Sequence, residues 1–260
     1  LVSDPNSKIG LAVIRSLNTD KHHIEMFSNQ NKPMCYYSNY CKKINLLPPY
    51  DNHNFEKKFI SLLKSQKFDY VIPVQYKSFY HLSKMKKKIL KYSKINCENF
   101  NKISKVSSKV FMRNLSQKIN ISYLKDIKTF EINNLKSVKK KLKNVKYPIV
   151  IKPKLELGGR SKYIFYAYNE FQSLDIVNKI SKKYNLNIKN FIIQTKIGGT
   201  GRGFFCNAYK GKCISFFQHE RIREFPITGG ISVAAKSIYD KKLKKIGKNI
   251  VKKLKWNGVL

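Results

Sequence analysis

A lysine and a pair of glycines separate two apolar runs in the stretch YPIVIKPKLELGGRSKYIF, residues 147–165. The apolar, β-branched residues before Lys152 are typical of a strand, so its ammonium is expected at the end of that strand. Gly158 and Gly159 can adopt positive φ, and consecutive N–H groups in such a turn bind anions. With Arg160 beside them, these groups suit a polyphosphate. A surface hairpin with a solvated lysine is the simpler alternative.

Two familiar phosphate loops are excluded. The P-loop requires G-x-x-x-x-G-K-[ST] at the start of a helix, and the sequence contains no such string. The glycines of residues 199–203 resemble a dinucleotide fingerprint, but they precede a predicted strand and not a helix. A glycine turn between two antiparallel strands remains, and such a turn could cover phosphates as a flap.

Length and composition indicate a globular protein of one large or two ordinary domains. The chain has 260 residues, of which 42% are hydrophobic and 13% aromatic. No apolar run approaches the roughly 20 residues that span a bilayer, so no membrane association is expected. The five cysteines lack metal-ligand spacing, and we expect reduced thiols and a cytoplasmic location.

The charge leaves a second class of function open. Lys and Arg total 53 against 15 Asp and Glu, a formal net charge of +38, which would suit a nucleic-acid partner. The positive residues are nearly all lysine and are spread along the whole chain, which favours solvated lysine-rich surfaces. A non-catalytic, basic nucleic-acid-binding protein is therefore kept as an alternative.

The first hundred residues alternate short apolar runs with helical patterns. Apolar residues at helical spacing predict helices through residues 9–17 and 55–63 and from 76 to about 91, and residues 23–27 and 69–74 are predicted strands. This alternation predicts a small parallel sheet covered by helices.

The pattern changes after about residue 102. Ser107 or Ser108 is a candidate N-cap for a helix. Strands are predicted at residues 147–152, 162–168, 190–195, 203–209 and 213–218. Two further helices are predicted, one with its apolar face between Leu174 and Tyr184 and one between Leu243 and Leu254.

Several ordered motifs of this second half resemble the ATP-grasp superfamily, in particular its carbamoyl-phosphate-synthase-like carboxylate–amine ligases. The resemblance covers most of the chain. Its motifs are SKVF at 108–111, YPIVIKP at 147–153, GGRS at 158–161, IIQTKIG at 192–198 and QHERIREFP at 218–226, followed by TGG at 228–230 and Ser232. Ser161 departs from the family where a third glycine is common, Thr195 where an acidic residue is usual, and Lys236 where glutamate is expected.

The resemblance implies an α/β fold: a Rossmann-like, parallel-sheet pre-ATP-grasp domain followed by an incomplete α+β ATP-grasp module. The domains would be residues 1–104 and 105–260, with a lid at about 120–195 and the start of a catalytic subdomain at 196–260. We expect a chain truncated at both ends, with the magnesium ligands beyond Leu260. The 260 residues alone should then show at most weak nucleotide binding and no ADP release.

The resemblance also implies roles for individual residues. Lys109 and Lys152 would bind the α- and β-phosphates of ATP, and a flap would cover the β- and γ-phosphates. Arg221 and Arg223 could clamp a carboxylate or an acyl phosphate. The flap residues are Gly158, Gly159, Arg160 and Ser161. The adenine-lining residues are Gln194, Thr195, Lys196 and Ile197, of which Gln194 and Ile197 would hold the adenine edge through main-chain groups.

The implied activity is an ATP-dependent ligation of a carboxylate to an amine through an acyl phosphate, with ATP and Mg²⁺ required. The implied partners are ATP, a small carboxylate and an amine, with no nucleic acid. A bicarbonate-activating enzyme of the biotin carboxylase or carbamoyl-phosphate synthase type is the alternative within the same class.

Overall fold

The computed structural model describes residues 1–18, 21–119, 121, 127–155, 163–227 and 230–260. Contacts group the chain into two compact units. The first unit contains Leu1–Ser104 with Asn257–Val259, and the second contains Lys105–Trp256 with Leu260. Within the described ranges, no helix combines the length and apolar character needed to cross a bilayer.

Helices and strands alternate through the first unit, and the second unit contains both as well. The helices are α1 (Lys8–Leu17), α2 (Phe55–Gln66), α3 (Tyr76–Lys84), α4 (Lys86–Ile89), α5 (Phe100–Val106), α6 (Lys109–Lys118), α7 (Leu135–Leu142), α8 (Glu170–Lys182) and α9 (Lys241–Leu254). The strands are β1 (Glu25–Ser28), β2 (Lys43–Leu46), β3 (Tyr70–Val71), β4 (Lys94–Ile95), β5 (Thr129–Glu131), β6 (Ile149–Pro153), β7 (Phe165–Ala167), β8 (Phe191–Thr195), β9 (Arg202–Tyr209), β10 (Lys212–Phe225), β11 (Ile231–Ser237) and β12 (Gly258–Val259).

The predicted parallel sheet is present in the first unit. Strands β1 and β2 pair in parallel, as do β3 and β4. Val2 joins the two pairs through parallel bridges to Met26 and Ile72, which gives the spatial order β2, β1, Val2, β3, β4. Strand β1 thus lies on one side of Val2 and strand β3 on the other, as in doubly wound α/β folds.

The core of the first unit explains its helical periodicity. Phe55, Phe59 and Leu63 of α2 are buried with Leu82 of α3 and Ile89 of α4. Residues spaced by three or four lie on one face of a helix, so this spacing buries one side of α2. The predicted α1 and α2 are confirmed.

Two predictions for this unit differ from the structure. The single helix expected from residue 76 to 91 is broken at Met85, whose φ of −95° and ψ of 2° separate α3 from α4. The buried strand expected at 69–74 is only two residues long. Tyr70 is exposed, and Pro73 has no N–H to extend the ladder.

The second unit contains two antiparallel sheets. The first antiparallel sheet has the order β5, β8, β6, β7, and α7 and α8 cover one of its faces. In the second antiparallel sheet, β10 pairs with β9 on one side and with β11 on the other. Strand β10 is longer than the predicted 213–218 because it continues through its charged residues to Phe225.

Helix α9 packs on one face of the second antiparallel sheet. A Cβ on Gly247 would lie 2.3 Å from the ring of Phe204, so glycine allows this close approach. The buried Gln218 side chain holds the start of α9, because it accepts from Asp240 N–H at 2.9 Å and donates to Asp240 C=O at 3.1 Å. Asp240 in turn caps the helix by accepting from Lys242 and Leu243 N–H.

Candidate functional site

The first antiparallel sheet has one apolar face and one polar face, because side chains alternate along each strand. Ile149 and Ile151 of β6 are fully buried in the core beneath α7 and α8. Val150 and Lys152 therefore project from the opposite face. Gln194 is paired with Val150 across β8 and β6, so it shares that polar face with Lys152.

A hydrogen-bonded row crosses the polar face from β6 to β5. The Lys152 ammonium donates to Gln194 Oε1 at 2.7 Å, and Gln194 Nε2 donates to Thr129 Oγ1 at 3.0 Å. Lys152 and Gln194 are both partly buried. The neutral amide thus orients the positive charge of Lys152 on the polar face, and an ammonium forms charge-assisted hydrogen bonds with anions.

Tyr166 of β7 lies on the same face, opposite Val150. Burial raises the pKa of the Tyr166 hydroxyl, and the negative charge of Glu224 adds to the effect. Glu224 belongs to β10, so β7 and the end of β10 come close to each other at this point. The Lys196 ammonium lies 5.3 Å from the centre of the Tyr166 ring, a cation–π contact.

The last residue of β8 and the residue after it each donate one hydrogen bond to a neighbouring segment, on opposite sides of the strand. Thr195 N–H donates to Lys128 C=O at 3.0 Å, and Lys196 N–H donates to Pro148 C=O at 3.0 Å. Ile197 follows with 59% of its surface exposed. The predicted adenine-lining residues thus lie partly at the end of β8 and partly just beyond it.

Lys109 is the first residue of α6, and Ser108, one of the two predicted caps, is the N-cap. Ser108 Oγ accepts from Phe111 N–H. Lys109 N–H donates to Lys154 C=O at 2.9 Å, and Ser108 forms an antiparallel bridge with Leu155. The structure therefore brings the start of α6 to the chain just after Lys152, and the two predicted phosphate-binding lysines belong to adjoining backbone segments.

The predicted flap lies outside the described residues. This applies to Gly158, Gly159, Arg160 and Ser161, and also to Thr228 and Gly229 of the downstream motif. The roles expected of them stay predictions.

Arg221 and Arg223 both belong to β10 but differ in their surroundings. The Arg221 guanidinium donates to Glu224 Oε1 at 3.1 Å and to Gly230 C=O at 3.3 Å. Arg223 is exposed. The register of β10 against β11 shifts between Arg221 and Arg223, so Ile222 is an extra residue between them. Hydrogen bonds thus hold the Arg221 guanidinium in place, whereas the Arg223 side chain is exposed.

An aromatic group lies on the face of the second antiparallel sheet away from α9. Phe205 and Phe217 are paired across β9 and β10, with ring centres 6.4 Å apart, and the His219 ring lies 5.1 Å from Phe205. Phe205 and Phe217 are 44% and 53% exposed. Arg221 follows His219 by two residues, which puts the guanidinium at the edge of the same face.

Sequence reasoning missed two members of the polar face, Thr129 and Tyr166. Alternation within KYIFYAY could have indicated Tyr166, because Phe165 and Ala167 are the residues that face the core. No comparable signal marks Thr129, since β5 is only three residues long.

One departure from the family pattern has a structural role. Lys236 donates to Glu220 at 2.9 Å, and Glu220 also pairs with Arg202 at 2.7 Å. Among the described residues, no three His, Cys, Asp or Glu side chains are grouped to hold a metal ion. The expectation that magnesium ligands follow Leu260 stays a prediction.

Solved structures show which fold this is. The chain is similar to a biotin carboxylase β-γ-ATP complex from Campylobacter jejuni, with a TM-score of 0.74 and 12% identity, covering 99% of this chain and 60% of that one. It is similar to phosphoribosylglycinamide synthetase from Anaerococcus prevotii, with a TM-score of 0.58 and 18% identity over 98% and 61% of the two chains. It also matches an L-amino acid ligase from Bacillus licheniformis, with a TM-score of 0.57 and 13% identity over 88% and 53%.

No family model matches the sequence, and no curated protein matches it. At 10–18% identity the structural likenesses establish the fold. The predicted ATP-grasp fold is thereby confirmed, with a mixture of one parallel sheet and antiparallel sheets. The chain spans about 60% of the length of the biotin carboxylases it matches.

Proposed function

We propose that this chain binds ATP between the polar face of the first antiparallel sheet and the second antiparallel sheet, as part of a ligase that joins a carboxylate to an amine. The hydrogen-bonded row of Lys152, Gln194 and Thr129 carries the proposal. It presents an oriented ammonium on the face of the first antiparallel sheet opposite α7 and α8. The fold is similar to that of a biotin carboxylase solved as a β-γ-ATP complex.

Lys152 and Lys109 would bind the α- and β-phosphates. Two ammonium groups on adjoining segments match the charge of a polyphosphate. Gly158, Gly159 and Arg160, with Ser161, would cover the β- and γ-phosphates. The glycine-rich flap and the two lysines would then bind the phosphates close to the end of β6.

Main-chain groups near Ile197 would hold the adenine. Gln194 of β8 is paired on both sides of the strand, with Val150 of β6 and with Thr129 of β5. We therefore propose that its side chain serves the nucleotide by orienting Lys152. Thr195 and Lys196 would line the base, while the exposed Ile197 would offer its main chain to the adenine edge.

The reaction proposed is phosphoryl transfer followed by acyl transfer. A carboxylate oxygen attacks the γ-phosphorus, the bond to the β-γ bridging oxygen breaks, and ADP leaves. The amine nitrogen then attacks the acyl carbon, phosphate leaves with the electron pair of the C–O bond, and the nitrogen releases one proton to solvent. Arg223 would bind the planar carboxylate, with Arg221 beside it held by Glu224.

These residues would act by positioning the reactants and by offsetting charge. When bound, Mg²⁺ neutralises charge on the β- and γ-phosphates. No group of three or more His, Cys, Asp or Glu side chains that could hold it lies among the described residues. Residues 1–104 would form the pre-ATP-grasp domain and residues 105–260 the ATP-grasp module.

Activation of bicarbonate is the second candidate. It is favoured by the TM-score of 0.74 with a biotin carboxylase. A related 2-oxoglutarate carboxylase domain, with a TM-score of 0.66, is a complex with MgADP and bicarbonate. The same phosphate-binding residues would serve both reactions, and the two candidates differ in the oxyanion that attacks the γ-phosphate.

Nucleotide binding is tested by titrating the whole gene product with ATP, ADP, AMP, adenosine and tripolyphosphate at about 150 mM salt. We expect the affinity to fall as phosphates are removed, and tripolyphosphate to bind more weakly than ATP because it lacks the base. Equal binding of tripolyphosphate and ATP would indicate bulk charge alone. Selective binding of duplex DNA that survives this salt would favour the nucleic-acid alternative.

The ligase step is tested with the whole gene product, MgATP, ammonium and carboxylates labelled with ¹⁸O. Attack of the carboxylate on the γ-phosphate carries one ¹⁸O atom into inorganic phosphate. Label from an organic carboxylate supports the first candidate, whereas label from bicarbonate alone supports the second. Phosphate formed without label in either case contradicts the acyl-phosphate route.

A further inference from the structure

The first unit contains a cavity that the proposed ATP site does not use. Its volume is about 370 Å³, within the range typical of small-molecule sites. The lining combines one acidic residue, one lysine, the start of α1 and an apolar floor. It consists of Asp4, Pro5, Asn6, Ser7, Lys8, Ile9, Phe27, Ser28, Asn29, Pro48, Pro49, Tyr50, Phe55 and Gln75.

The topology of the parallel sheet places this cavity. Residues 4–9 follow Val2, Ser28 ends β1 and Asn29 follows it, residues 48–50 follow β2, and Gln75 follows β3. The lining therefore comes from the carboxyl ends of four neighbouring parallel segments. From Val2 the chain adds β1 and β2 on one side and then β3 and β4 on the other, so the strand order reverses at Val2. In open α/β sheets, ligands bind in the crevice at the carboxyl ends of the strands where this order reverses.

Asp4 is fixed at one wall of the cavity. Its Oδ2 accepts from Gln75 N–H at 2.9 Å, from Ser78 Oγ at 2.7 Å and from Ser3 Oγ. Ser3 and Ser78 are fully buried, so the carboxylate cannot easily reorient. No described residue donates to its Oδ1. Asp4 thus offers a cavity-lining anionic oxygen that suits a ligand ammonium.

Positive charge at the cavity comes from the start of α1. Ser7 Oγ accepts from Gly10 N–H at 2.8 Å and caps the helix. The N–H groups of Lys8 and Ile9 have no hydrogen-bond partner within the described ranges, and both residues line the cavity. The exposed Lys8 ammonium lies on the same turn. These groups suit a ligand carboxylate.

The floor of the cavity is apolar. The Tyr50 and Phe55 ring centres are 4.8 Å apart, and Phe27 contacts both rings at 6.1 and 6.4 Å. Burial, and then the charge of Asp4, raise the pKa of the Tyr50 hydroxyl, so it stays neutral. Pro48 and Pro49 complete a surface that suits a hydrocarbon side chain.

We propose that this cavity binds an α-amino acid with an apolar or aromatic side chain. Asp4 Oδ1 accepts from the ammonium, while the first turn of α1 and Lys8 bind the carboxylate. The side chain lies on Tyr50 and Phe55. The cavity's acid, base and apolar floor match the three chemical parts of such a molecule.

This proposal stands independently of the ligase function, because every lining residue belongs to the first unit and binding requires no nucleotide. The two tests also fail separately. Loss of ATP binding in a Lys152 variant says nothing about amino-acid binding. An amino acid carries both groups that a carboxylate–amine ligase joins, so its chemistry is compatible with the proposed reaction.

The test is a calorimetric titration of the 260-residue protein with L-phenylalanine, L-leucine and glycine, together with N-acetyl-L-phenylalanine and 2-phenylethylamine. We expect phenylalanine and leucine to bind. Removing the ammonium, the carboxylate or the side chain should each lower the affinity at least tenfold. Absence of phenylalanine and leucine binding, or equal binding of the acetylated compound, would overturn the proposal.

Variants assign the two charged ends. Asp4→Asn should lower phenylalanine affinity at least tenfold, while Asp51→Asn, an exposed acid outside the lining, should leave it unchanged. Lys8→Glu should weaken phenylalanine but not 2-phenylethylamine, with the exposed Lys57→Glu as its control. If Asp4→Asn fails to fold, Lys8→Glu alone decides, because its side chain is exposed. Unchanged phenylalanine affinity in Lys8→Glu would then refute the proposal.

Discussion

Replacing Lys152 with methionine should separate nucleotide binding from folding. The ammonium donates to Gln194 Oε1 at 2.7 Å at a partly buried position. Methionine keeps the length of the side chain, and water can reach the amide that loses its donor. The free energy of unfolding should therefore fall by about 1 kcal/mol.

The effect on ATP should be larger. A hydrogen bond to a charged group contributes about 1.5–3 kcal/mol, which corresponds to roughly a tenfold to hundredfold loss of ATP affinity. Isothermal titration of the whole gene product at fixed ionic strength measures this loss, and urea unfolding measures the stability. Adenosine should bind the variant and the wild type equally, because it lacks the phosphates.

Lys179→Met is the matched control. Lys179 carries the same charge in the same unit but lies on α8, where it pairs with Asp175. It therefore reports the effect of removing one positive charge from a strongly basic protein. If Lys152→Met lowers ATP affinity no more than Lys179→Met does, the assignment of Lys152 to the phosphates is wrong.

Three further changes test the contacts that support the site and the fold. Gln194→Met should lower ATP affinity several-fold, and its effect should be largely absent when Lys152 is already methionine, as a double-mutant cycle by calorimetry would show. Gln218→Ala should lower the free energy of unfolding by about 1–3 kcal/mol in urea, because the two Asp240 backbone groups lose their partner. Glu98→Gln should reduce the loss of stability on acidification. Burial would raise the pKa of Glu98, but hydrogen bonds from neighbouring groups outweigh burial and hold that pKa below 4.5. The Glu98 carboxylate therefore stabilises the folded state above pH 4.5, and this contribution is lost as the pH falls further. Unfolding in urea at pH 7 and pH 3.5 measures it.

Control variants accompany the two stability predictions. Asn249→Ala on the exposed side of α9 should not lower the free energy of unfolding, and the helix propensity of alanine should raise it by less than about 0.7 kcal/mol, in contrast to Gln218→Ala. Glu56→Gln, on the partly exposed carboxylate that pairs with Lys88, should leave the acid sensitivity largely as it is. An additive double-mutant cycle for Gln194 and Lys152 would contradict the row of hydrogen bonds.

The strand that ends at Lys152 could be predicted because its signals are local. Alternation and β-branched residues indicate β6, and the burial of Ile149 and Ile151 leaves Lys152 on the other face. The Ser108 cap was also predictable, since a serine before a helical pattern is a start signal. Arg221 and Arg223 could be assigned to a common segment on their motif, QHERIREFP.

The partner of Lys152 could not be predicted in this way. Gln194 is 42 residues away, and its contact depends on the register of β8 against β6. The bulge that separates Arg221 from Arg223 likewise depends on pairing with β11. The amino-acid cavity is a still less local feature, because its lining comes from the ends of four separate parallel segments.

The central claim is that ATP binds to the second unit, along the polar face that carries Lys152. Photolabelling with 2-azido-ATP, followed by peptide mapping, tests it directly because the azide on the adenine ring attaches to the residues around it. We predict labelling within residues 191–202 or 163–168, abolished by excess ATP and reduced in Lys152→Met. Labelling confined to residues 1–104, with the same protection by ATP, would contradict this account.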